Sequence, residues 1–154
     1  MTYQETLEYL YTATPAFHQV GAKAYKPGLE TTLRLMESVG NPHLGLRCIH
    51  VAGTNGKGST SHLLAAALQA AGLRVGLYTS PHLIDFRERI RVNGVLIPEE
   101  YVINWVEQNQ ESLTASPSFF EMATAMAFCY FRDMQVDVAV IEVGLGGRLD
   151  STNV

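Results

Sequence analysis

Cysteine is scarce in this chain. Of 154 residues only Cys48 and Cys129 are cysteines, far apart and without a repeated spacing. That argues against a disulfide framework or a cysteine zinc knuckle and suits a reducing, cytoplasmic setting. Basic excess is also missing: 11 basic against 15 acidic residues give a net charge of −4, which argues against a broad footprint on nucleic acid. No apolar run approaches the ~20 residues of a membrane span, because Gln69 and Gly72 break the longest candidate. The N-terminus, Met1-Thr2-Tyr3-Gln4-Glu5, lacks the basic patch and apolar stretch of a signal peptide. Charged residues amount to 17% against a usual ~25%, so part of the surface is expected to be covered by something else.

What is present fits about one domain, large enough to bury a core without staples. Glycine is ordinary in number, 13 in all, but six fall in two short segments, Gly53, Gly56, Gly58 and Gly144, Gly146, Gly147. Clustered glycine marks backbone that something approaches closely. Residues 3–11 can form a helix, and 21–28, with Lys26-Pro27-Gly28, reads as a loop. Leu29, Leu33, Met36 and Val39 recur as a helix face that Gly40-Asn41-Pro42 ends. A strand is expected at 47–52, a helix from Ser59 to Ala71 stopped by Gly72, and a second strand from Arg74 to Tyr78. Residues 88–97 alternate around Asn93-Gly94, a two-residue hairpin turn. Pro98 suits the first turn of a helix reaching about Leu113. Ser118 and Glu121 have the form of a capping box opening a helix to about Met134. The last strand, Val136 to Ile141, is apolar enough to be buried on both faces. Strands alternating with helices predict an α/β fold, a mostly parallel sheet flanked by helices. The chain stops at Val154, after a glycine-rich loop and before any helix to cover the last strand, so a fold incomplete at its C-terminus is expected.

The segment Gly53-Thr54-Asn55-Gly56-Lys57-Gly58-Ser59-Thr60 lies between a strand and a helix. Glycines let backbone N–H groups turn inward, a helix N-terminus adds partial positive charge, and a lysine reaches terminal phosphates. The pattern departs from G-x-x-x-x-G-K-[ST]: Val51 replaces the first glycine, and Gly58 separates Lys57 from Ser59. The alternative is a glycine-rich turn with an exposed lysine. Glu142 follows the apolar run 138–141, at the strand edge where open α/β sheets bind ligands, and is placed to hold a nucleotide's magnesium or to cap backbone. Thr79-Ser80 ends another strand on that edge, as a ligand or simply as a turn.

Other features weigh less. Gly144-Leu-Gly146-Gly147-Arg-Leu149 lacks the third glycine of a dinucleotide fingerprint. Cys48 and His50 share a strand face, more in keeping with core packing than with metal. Glu121 has its capping role, and His82 could touch a substrate or sit in a turn. Arg87, Arg89 and Arg91 alternate along a hairpin strand, as an anion-binding face or, the reading favoured, a solvated edge protected against pairing.

Together these residues resemble a known family. The stretch from Cys48 to Thr60 is similar to the phosphate loop of the folylpolyglutamate synthase/dihydrofolate synthase family, related to the Mur ligases. Gly76 to Leu83 with Arg87 to Val92, and Glu142 to Asp150 with Ser151-Thr152-Asn153, resemble its second and third signatures; Gly28-Leu-Glu30 and Gly40-Asn-Pro42 also fit. The resemblance implies the ATP-binding domain of Mur-ligase type. It also implies an amide ligase that uses ATP and Mg2+ to join L-glutamate to dihydropteroate or folates through an acyl phosphate. By that resemblance Lys57 neutralises the β- and γ-phosphates, and Asn55, Gly56, Gly58, Ser59 and Thr60 complete the ATP cradle. Ser80 and Glu142 match magnesium ligands. Ser118, Phe119, Phe120, Glu121, Leu149, Asp150 and Ser151 match the pterin pocket, where a phenylalanine can stack on a flat ring. It further implies that residues 1–154 are the N-terminal part of such an enzyme, monomeric when complete. A further magnesium-ligand histidine, an active-site lysine and a C-terminal glutamate-ligase domain are then expected beyond Val154. A different phosphate-loop NTPase or kinase, or a non-catalytic nucleotide-binding module, is the alternative reading.

Overall fold

The computed structural model describes residues 1–12, 28–111, 113 and 117–154; the loop expected at 21–27 lies outside them. In chain order the elements are α1 (Tyr3–Thr12), α2 (Glu30–Ser38), β1 (Cys48–Val51), α3 (Lys57–Ala70), β2 (Val75–Tyr78), a 3-10 turn (Phe86–Arg89), β3 (Ile90–Val92), β4 (Val95–Leu96), α4 (Glu99–Asn109), α5 (Phe119–Asp133) and β5 (Val138–Glu142). The sheet order is β1-β5-β2-β3-β4. Strands β1, β5 and β2 run parallel, whereas β3 and β4 are antiparallel additions. The fold is α/β with a mixed sheet.

Several expectations need correction. Strand β5 does not lie uncovered at the end of the sheet. It is paired on both sides, with Ala139, Val140 and Ile141 all buried. Its Ala139 and Ile141 join the large core with α5, while Val140 packs with Ala65 of α3 and Val75 and Leu77 of β2. Helices earlier in the chain supply the cover. β1 is one of the sheet's two edge strands, and its Cys48 and His50 stand exposed rather than in the core. Of the helix face expected from Leu29, Leu33, Met36 and Val39, Met36 is buried in α2 and Val39 packs on the core, while Leu33 is exposed and Thr32 and Leu35 are buried instead. Pro98 is the cap of α4, which ends at Asn109, short of Leu113.

Local chemistry explains the elements that frame the site. Gly56 caps α3 at φ 78°, a left-handed conformation that costs glycine nothing. The helix therefore begins at Lys57, two residues before the sequence suggested. The Asn93-Gly94 turn has φ 48° and 76°, the two positive values that a tight right-twisted hairpin requires. At the start of α5 the Ser118 hydroxyl accepts from Glu121 N–H, and the Glu121 carboxylate accepts from Ser118 N–H. That reciprocal pair fixes where the helix begins.

Candidate active site

The parallel register aligns Val51 with Glu142 and Tyr78 with Ile141. The three segments that follow these strands therefore emerge side by side: the phosphate loop after β1, the 144–152 loop after β5 and Thr79-Ser80 after β2. Ligands of open α/β sheets collect at this edge.

The junction is tight. Glu142 is only 5% exposed, and its Oε2 accepts from Ser80 N–H at 3.3 Å. A methyl group placed on Gly58 would stand 3.9 Å from Oε2 and 4.0 Å from Oε1. The carboxylate thus faces the first turn of α3, with one long hydrogen bond from the described residues to hold it. Lys57 curls back, its Nζ donating to the Gly53 carbonyl at 2.9 Å. Ser59, Thr60 and Asn55 are exposed on the loop and first turn. The structure brings Asn55 to Thr60, Ser80 and Glu142 together, as the sequence suggested.

The residues expected around a pterin divide. The Phe119 ring stacks on Tyr11 at 5.1 Å and meets Phe86 edge-on at 5.9 Å. Phe120 leans on Tyr78, and its ring closes over Gly144, where any Cβ would fall 2.4 Å from Cζ. Any larger residue at position 144 would have to push the Phe120 ring aside. Glu121 spends both oxygens inside the protein, on Ser118 N–H and on the Thr32 hydroxyl at 2.9 Å. Asp150 is buried and ties its loop together, accepting from Leu145 N–H, Thr152 N–H and the Thr152 hydroxyl. Thr152 in turn meets His50 Nε2 at 2.7 Å. Leu149 is exposed and Ser151 partly so.

The three arginines are not an alternating solvated edge. Arg87 sits on Asp85 through Nε and Nη2 and reaches Glu99, and it holds the Asp85 carboxyl down to about 2. Arg91 donates to the Glu88 carbonyl. Arg89 is 8% exposed. Its Nε donates to His82 Nδ1 at 2.7 Å, and its guanidinium lies 5.0 Å from the centre of the Phe119 ring. His82 Nε2 faces the Tyr11 hydroxyl at 3.1 Å. Burial first, then the Arg89 charge, lowers the His82 imidazole below its ordinary value. Burial pushes Tyr78 up to about 12; the Arg89 cation acts against that shift, and the Asp150 and Glu142 anions act with it. Sequence reasoning had no means of adding Tyr11, which lies 71 positions from His82.

No family model matches the sequence. The chain is 47% identical over 137 residues to the dihydrofolate synthase/folylpolyglutamate synthase of Bacillus subtilis, covering 84% of this chain and 32% of that protein. The crystal structure of folylpolyglutamate synthase from Thermotoga maritima matches 98% of this chain and 35% of its own length, with a TM-score of 0.86 and 49% identity. The chain belongs to the folylpolyglutamate synthase/dihydrofolate synthase family. A third member, Escherichia coli FolC in complex with DHPP and ADP, matches 99% of this chain and 36% of its own at a TM-score of 0.84 and 36% identity. Across curated relatives in the family, the chain spans between 16% and 36% of their length.

Proposed function

We propose that this chain is the nucleotide-binding part of an ATP-dependent ligase that adds L-glutamate to dihydropteroate, to folates, or to both. The observation that carries the reading is the meeting of the phosphate loop, Ser80 and Glu142 at one sheet edge. The family supports the same chemistry, since its E. coli member is described in complex with DHPP and ADP. In the proposed reaction the acceptor carboxylate takes the terminal phosphoryl group of ATP. The glutamate amine then forms the amide bond and phosphate leaves. The glutamate-ligase domain, a further magnesium-ligand histidine and a second lysine are proposed to lie outside residues 1–154, which act within a monomeric cytoplasmic enzyme.

The residues fit a magnesium ion. Magnesium prefers oxygen ligands and is usually held by one or two carboxylates together with phosphates and water. Glu142 offers a nearly buried carboxylate with one long hydrogen bond, and the Ser80 hydroxyl stands on the residue that makes it. Among the described residues no group of three acidic, histidine or cysteine side chains forms a complete cage, which suits an ion shared with a nucleotide. The ion would supply charge neutralisation at the phosphates. The backbone from Asn55 to Thr60 and the start of α3 bind and orient the phosphates. Lys57 would leave the Gly53 carbonyl for the β- and γ-oxygens. Phe119, Phe120, Leu149, Asp150 and Ser151 are proposed to line the pterin pocket, with Ser118 and Glu121 fixing the helix that carries the two rings.

The Glu142→Gln variant of the full-length protein tests the site. It keeps shape but removes the charge a hard cation prefers. At saturating ATP it is expected to need about tenfold more magnesium for half-maximal ligation, with little change in pterin binding. An unchanged magnesium dependence would make Glu142 a structural cap.

A further inference from the structure

Arg89 is a nearly buried cation with no carboxylate in ion-pair distance among the described residues. A nearly buried guanidinium is normally paired with a carboxylate, because an uncompensated buried charge is strongly destabilising. Among the described residues Arg89 forms no ion pair. Its hydrogen bond to a side chain leaves from Nε, the ring of Phe119 supplies one face, and the acceptor at Nε is a neutral imidazole. Among the described residues Nη1 and Nη2 donate no hydrogen bond, and neither is a fully buried atom without a partner. They stand beside the Tyr11–Phe119 stack, on the edge where Thr79 N–H is held by the Arg89 carbonyl at 3.0 Å, one residue before Ser80.

The support behind Arg89 is built. Arginine can only donate, so His82 Nδ1 is the acceptor and the ring proton sits on Nε2, facing Tyr11. Arg89 thus sets the tautomer, and the Tyr11 hydroxyl accepts from His82 Nε2–H. Phe86 meets the His82 ring edge-on, and Tyr11 in turn lies on Phe119. The imidazole fixes the one N–H on the rear of the guanidinium and leaves the fork of the other nitrogens free. That geometry accepts a planar, bidentate anion.

We propose that Arg89 binds a carboxylate of the acceptor substrate and that His82 is a positioning residue that holds the Arg89 guanidinium ready for it. The proposal rests on the ligase reading above and names the substrate group that the site recognises. A carboxylate is favoured over a nucleotide phosphate because the guanidinium is flanked by aromatic rings, Phe119 stacked on Tyr11 and Phe86 against both His82 and Phe119, rather than by the glycine loop.

The test uses the full-length protein with His82→Ala, His82→Asn, His82→Gln and Arg89→Ala. Steady-state ligation is followed while acceptor and ATP are varied separately. Equilibrium binding of the acceptor is also compared with that of its neutral carboxamide analogue, without turnover. Arg89→Ala and His82→Ala are expected to raise the acceptor KM about tenfold or more, the size of a lost charged hydrogen bond, and to leave the ATP KM within about twofold. Asparagine keeps an acceptor where Nδ1 stood, so His82→Asn should recover most of that loss. His82→Gln places its amide where Nε2 stood and should not. The wild type should prefer the carboxylate to the carboxamide, and Arg89→Ala should lose the preference. An unchanged acceptor KM in folded His82→Ala, equal behaviour of the Asn and Gln variants, or an effect confined to ATP would overturn the proposal. Failure of the wild type to ligate glutamate at all would instead overturn the functional reading on which it stands.

Discussion

Lys57 carries its charge on a side chain that donates to the carbonyl of Gly53, a bond that water could replace on an exposed loop. Its value must therefore lie in what it can leave that carbonyl to meet. In phosphoryl transfer the protein contributes mainly position and charge, and such groups typically supply several powers of ten in rate. Lys57→Ala in the full-length protein is expected to cut glutamate ligation by at least about a hundredfold, while circular dichroism stays that of the wild type. Near-native turnover in a folded variant would detach the loop from the chemistry. The loop was legible because its glycines, lysine and hydroxyls are contiguous. Arg89 was not, because what sets it apart from Arg87 and Arg91 is its burial between the His82 imidazole and the Phe119 ring. Three arginines in alternation look alike until the partners fold into place.

At the scale of elements, two features hold the edge in shape. The first is the contact of β2 with α5. A Cβ on Gly76 would stand 2.7–2.9 Å from three ring carbons of Phe131, which is itself buried. Gly76→Ala should destabilise the fold by about 2 kcal/mol through overpacking, read as a lower urea midpoint at unchanged slope. The second is the 3-10 turn before β3. Glu88 accepts from the N–H groups of Leu83, Ile84 and Asp85, while Asp85 caps the turn and takes Arg87 and the Tyr3 hydroxyl. Arg87 holds Asp85 at about 2 against an ordinary 3.8. Because the folded value is the lower one, its contribution to stability is complete above about pH 4 and is lost as pH falls toward 2. Asp85→Asn should lose about 1 kcal/mol or less at neutral pH and show a shallower decline between pH 4 and 2 in urea titrations; a parallel decline would assign the acid limb to other groups. The capping box of α5 and the Asn93-Gly94 turn could be read from four residues or fewer. The placement of β5 could not, since which strand lies between which is decided by packing across the whole sheet. The same holds for the exposure of β1: a strand's composition does not tell which edge it occupies.

At the scale of the molecule, the proposed ligase reading asks this chain for one side of a reaction. The sheet edge gathers a phosphate loop, a carboxylate suited to a cation and an aromatic cluster around an unpaired guanidinium. Among the described residues it gathers no third acidic or histidine ligand. Leu83 and Ile84, about 90% and 93% exposed on a turn fixed by three backbone hydrogen bonds, agree with the low charge content in leaving apolar surface near that edge. The general fold, the loop and the acid were legible from local pattern together with family resemblance. The His82–Arg89–Tyr11 cluster was not, because its members are brought together only by the tertiary fold. The most direct measurement is ligation itself: full-length protein with dihydropteroate or a reduced folate, labelled glutamate, ATP and magnesium, scored for both amide product and ADP. The account predicts one ADP for each glutamate joined, no product without the acceptor, and none from residues 1–154 alone. ADP formation with no glutamate in the product, or product formed without ATP, would contradict it.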